Sequence, residues 1–95
     1  MPLRSRAAAN FSAGRMGAAL QLYEETCAGF ERTIGPVHPR TLACQAELAR
    51  GYYATGRLGD AITLLSTIIA RGEQALPAGD PLIRRVRETL TNIAG

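Results

Sequence analysis

Apolar side chains return along this chain at helical spacing. Leu42, Ala46, Leu48, Ala49, Tyr52 and Tyr53 predict a helix over about Pro39 to Ala54, with proline in its first turn, where no amide donor is needed. Thr55-Gly56 stops it. Leu58, Ala61, Ile62, Leu65, Ile68, Ile69 and Leu76 predict a second helix that runs until Pro77-Ala78-Gly79. The two form an antiparallel pair. A last helix, about Pro81 to Ile93, carries Leu82, Ile83, Val86, Leu90 and Ile93 on one side, with Arg84, Arg85, Arg87 and Glu88 largely on others.

The pattern repeats. GRMGAALQL at Gly14–Leu22 returns as GRLGDAITL at Gly56–Leu64, an offset of 42 positions. At the same offset Ala28 falls on Ala70, Glu31 on Glu73 and Pro39 on Pro81, while Phe11/Tyr53, Met16/Leu58, Leu20/Ile62 and Ile34/Leu76 are conservative apolar pairs. Units of this length cannot each bury an apolar face alone, so they stack on their neighbours. Shifting the helical pair back by one repeat predicts helices over about Leu3 to Ala13 and Met16 to Ile34, with a turn at Gly14 and a linker at Gly35-Pro36. The expected architecture is all-α, with about five helices in one domain over 1–95. Its units are about 1–37 and 38–79, with a half unit at 80–95. Asp80 is expected to cap the last helix. His38, one repeat earlier, is expected to be a linker residue that caps less well.

These residues carry a family resemblance. GPVHPRTLACQAELARGYY followed by ATGRLGDAITLLSTIIARGEQAL resembles the tetratricopeptide repeat in its 42-residue, kinesin-light-chain-like form. Leu48, Ala49, Tyr52, Gly56, Arg57, Ala61 and Leu64 match its pattern. So do Gly14, Arg15, Ala19, Leu22, Tyr23, Glu24, Ala28, Glu31, Gly35, Pro36, His38, Pro39, Thr41 and Leu42 in the preceding unit. Gly17 and Gly59 depart from it, and Arg6 and Asn10 stand where the second unit has Leu48 and Tyr52. The resemblance implies a short right-handed α-α superhelix whose first helices line a concave groove for a partner's peptide or helix. It also implies a bacterial setting, where similar repeats serve as sensor or assembly modules of signalling and transcriptional regulators; the cysteine usage and the lack of a secretory apolar stretch after the start fit a reducing cytoplasm.

Composition narrows the chemistry. All 11 cations are arginine, against 8 acidic residues, for a net charge of +3. They are spread along the chain rather than concentrated, so nucleic acid is not the expected partner; a regulator fragment with weak or indirect nucleic-acid contact is the alternative. Cys27 and Cys44 lack metal-site spacing and are too few for a disulfide scaffold. Cys27 falls on an apolar stripe and reads as a small buried hydrophobe. A single histidine supplies no triad, and no phosphate-binding loop or metal cluster accompanies it. The expectation is a non-enzymatic module without cofactor, metal or membrane span.

Binding candidates follow from the face implied by the resemblance. Phe11, Arg50, Tyr53, Arg85, Glu88 and Asn92 are the partner-binding set, with Ala43 and Ala46 beside them. Arginines are suited to a partner's carboxylate and aromatics to apolar contact. The terminal stripe Leu82, Ile83, Val86, Leu90 and Ile93 is the candidate surface for self-association or for contact with a further repeat. Ala19, Ala28, Ala49 and Ala61 are expected at close helix crossings.

Overall fold

The computed structural model describes the backbone of residues 2–94 and the side chains from Arg15 to Ala94. Its described residues form four helices: α1 (Pro2–Thr33), α2 (Pro39–Ala54), α3 (Leu58–Ala75) and α4 (Pro81–Ala94). Each packs on the next in chain order, as in a solenoid.

The helix ends show why the chain turns where it does. At the end of α2, the Arg57 amide donates to the Tyr52 carbonyl at 2.8 Å and the Gly56 amide to the Tyr53 carbonyl at 3.1 Å. This paired closure needs a left-handed residue, and Gly56 supplies it at φ 83°. At the start of α2 the Arg40 amide donates to His38 Nδ1 at 3.0 Å, and at the start of α4 the Leu82 amide donates to Asp80 Oδ1 at 2.9 Å. The two caps stand one repeat apart and satisfy the same amide of their helices.

The core lies in two connected layers. Leu20 and Cys27 of α1 meet Leu48 and Tyr52 of α2 and Ala61 of α3. Leu42 and Ala49 of α2 meet Leu65 and Ile68 of α3 and Val86 of α4. Half-buried Leu64 packs against both. Two glycines let neighbouring helices come close: Leu20 lies over Gly51 and Ile83 over Gly72, each where a Cβ would otherwise stand.

The first unit departs from expectation. No turn forms at Gly14, and α1 runs through it, giving four helices where about five were expected. Arg6 and Asn10 replace the apolar residues that hold α2 against α3, so folding back would bury little area. Meanwhile Ala7, Ala8, Ala9, Ala13 and Ala18 all favour continued helix. The consequence is visible on α1. Ala61 is wholly buried against α2, but its repeat equivalent Ala19 is exposed and marks no close crossing. Leu65 is 2% exposed, whereas its equivalent Tyr23 is 41% exposed. Ala49 is buried as expected and Ala28 is half-buried.

Candidate functional site

α2 and α4 do not pack face to face; they flank a groove whose floor includes Leu65 of α3. Along α2 the lining residues Ala43, Ala46, Arg50 and Tyr53 follow helical spacing, and along α4 so do Arg85, Thr89 and Asn92. The inner part is a recess of about 90 Å³ beside Leu82 and Val86. It gives way to a wider cavity of about 460 Å³ bounded by Arg50, Tyr53, Ala54, Thr89, Asn92 and Ile93. Arg50 and Thr89 border both parts.

The groove presents cation and aromatic together. Arg50 reaches Glu47 at 3.4 Å while its side chain stays 70% exposed, so the guanidinium is held loosely. Arg85 makes no ion pair among the described residues. Tyr53 is exposed, unlike its buried neighbour Tyr52. The Tyr52 ring carries the Arg57 guanidinium at 4.4 Å, and Arg57 Nε donates to Asp60 at 2.8 Å. Burial, and then a hydrogen bond to Glu24, push the Tyr52 hydroxyl above the usual tyrosine range. Tyr52 is therefore structural and Tyr53 is available to a ligand.

Of the candidate residues, Arg50, Tyr53, Arg85 and Asn92 come together on this groove. Glu88 does not. It borders shallow depressions on the outer surface of α4, with Arg84 and Arg85 on one side and Arg87, Thr91 and Asn92 on the other. The Phe11 side chain lies outside the described residues. Glu47 and Thr89 were missed, although each stands within one helical turn of a candidate arginine. The terminal stripe faces inward: Ile83 and Val86 are buried, and Leu82, Leu90 and Ile93 pack half-buried against the second core layer. Arg85 borders the groove and also shares the outer depression with Arg84. Arg84 and Arg87 line a further cavity of about 350 Å³ at the α3–α4 connection, where Arg87 pairs with Glu73.

A polar joint links the units. Gln45 Nε2 donates to Glu31 Oε1 at 2.7 Å, and Arg71 donates to the same oxygen at 2.8 Å, tying α1 to α2 and α3. Glu73 and Arg87, one repeat later, form the corresponding link between α3 and α4. Among the described residues no group of three or more His, Cys, Asp or Glu side chains is placed to hold a metal ion. No described helix is long and apolar enough to cross a membrane.

Residues 2–74 match the tetratricopeptide repeat family. The chain belongs to that family. Two curated relatives, both from Arabidopsis thaliana, carry the same region. Kinesin light chain-related protein 3 is 36% identical over 75 residues, covering 79% of this chain and 12% of the relative. Kinesin light chain-related protein 2 is 38% identical over 72 residues, covering 76% and 11%. The chain thus spans about an eighth or less of the length of these relatives. Both are plant proteins, and neither supports the expected bacterial source. No solved structure matches the chain significantly.

Proposed function

We propose that this tetratricopeptide repeat module binds a segment of another protein, extended or helical, in the groove between α2 and α4. The observation that carries the reading is the convergence of Arg50, Tyr53, Arg85 and Asn92 from two helices onto one apolar-floored surface. A loosely held guanidinium and one without an ion pair favour a partner bearing a carboxylate, joined by charge-assisted hydrogen bonds. Tyr53 offers a rigid ring that loses little conformational freedom on binding. Asn92 supplies both donor and acceptor for a partner's backbone. Coverage of the terminal stripe by α3 makes self-association through α4 the weaker reading.

A displayed dodecapeptide library selected against the folded chain tests this. Enrichment of Asp- or Glu-bearing sequences is expected, with binding shifts in the amide spectrum at Arg50, Tyr53, Arg85 and Asn92. Replacing Arg50 and Arg85 together by glutamate should weaken the selected peptide at least tenfold, since hydrogen bonds to charged groups contribute about 1.5–3 kcal/mol each. Binding that shifts other surfaces, or that ignores both replacements, rejects the groove.

A further inference from the structure

The two cysteines sit 17 positions apart in sequence and side by side in the fold. Cys27 of α1 is buried at 4% exposure in the first core layer, and half-buried Cys44 of α2 packs against that layer. Cys44 stands close enough to the Cys27 thiol to push it up. This is a pair across a helix–helix interface, with one member reachable from solvent and the other shielded by Leu20, Leu48 and Tyr52. Both are free thiols.

We propose that Cys27 and Cys44 are a redox site that closes to a reversible disulfide under a peroxide oxidant. Cys44, the reachable member, is oxidised first: its thiolate sulfur attacks one peroxide oxygen, the O–O bond breaks, and the departing hydroxide leaves as water with the thiol's proton. Cys27 is the resolving residue. Its sulfur attacks the Cys44 sulfenic sulfur, the S–O bond breaks, and the hydroxyl leaves as a second water carrying the Cys27 proton. One peroxide is reduced to two waters and two thiols are oxidised to one disulfide.

Burial first, then the proximity of Cys44, push the Cys27 thiol up to about 12, so Cys27 stays protonated and inert while Cys44 is reduced. Only a sulfenic sulfur formed beside it gives Cys27 a target. The bond would join α1 to α2 next to the joint formed by Glu31, Gln45 and Arg71, fastening the first unit to the second.

The test uses the full chain with stoichiometric hydrogen peroxide, followed by intact mass measurement and a non-reducing tryptic map. Cleavage after Arg32 and Arg40 places the two cysteines on different peptides. The expected result is a loss of two hydrogens, a joined Cys27–Cys44 peptide pair, and full reversal by dithiothreitol. Cys27→Ser and Cys44→Ala should each abolish the joined pair, and circular dichroism should show that the variants remain helical. In the oxidised chain, amide exchange across 15–33 should slow. Sulfinic acid at Cys44, or a Cys44–Cys44 dimer, with Cys27 still open to alkylation after unfolding would overturn the proposal.

Discussion

Gly72 shows how one missing side chain sets the spacing of two helices. Ile83 of α4 occupies the volume that a Cβ at Gly72 would need, and Leu42 stands just beyond it. Alanine in a helix ordinarily stabilises relative to glycine by about 1 kcal/mol. At Gly72 that gain is opposed by overpacking, which costs about 1–3 kcal/mol in a filled core. Gly72→Ala is therefore expected to lower the urea midpoint, and adding Ile83→Val should restore part of the loss. Gly59 is the contrasting site. No atom lies within reach of a Cβ there, so Gly59→Ala should raise the midpoint, by up to about 1 kcal/mol. The periodic pattern marks Gly59 as a weak point but does not reveal the special position of Gly72. The difference lies in what α4 places above each residue.

At the scale of the element, the caps of α2 and α4 are equivalent positions filled by different chemistry. A carboxylate accepts the amide hydrogen bond and also meets the positive end of the helix dipole, whereas a neutral imidazole only accepts. Asp80→Ala should cost about 0.5–2 kcal/mol, and His38→Asp should gain about 0.3–1 kcal/mol; thermal unfolding followed by circular dichroism checks both. The extents of α2 and α4 were legible in sequence because Pro39, Gly56, Gly79 and Pro81 are local signals that fix helix ends without help from the rest of the chain. α1 was not legible in the same way. The repeat copied the Gly14-Arg15 signature, yet a turn also needs a helix with enough apolar surface to fold back, and Arg6 and Asn10 remove it. Groove residues on one helix, Arg50 and Tyr53 or Arg85 and Asn92, share a face through spacing alone. Contacts that depend on how one helix is rotated against another, such as Arg57 over Tyr52 or Cys27 beside Cys44, leave no trace in that spacing.

For the whole molecule, stability is shared between neighbours because each helix touches mainly the ones before and after it. Damage at one joint should therefore stay near that joint. Glu31→Ala leaves Gln45 and Arg71 without their shared carboxylate, in half-buried or buried surroundings. Hydrogen exchange by mass spectrometry should show amides across 15–33 losing protection, while those in α3 and α4 change little. Equal loss everywhere would mean that the stack opens as one unit. The link of Glu31 to Gln45 and that of Glu73 to Arg87 span the same 14 positions and lie one repeat apart. The unit built from α2 and α3 thus carries a plug at the end of its second helix, Glu73, and a socket on its first, Gln45. A unit moved intact into another array of the same stride would bring both halves of its fastening with it, making the joint a transferable part rather than a property of this one chain.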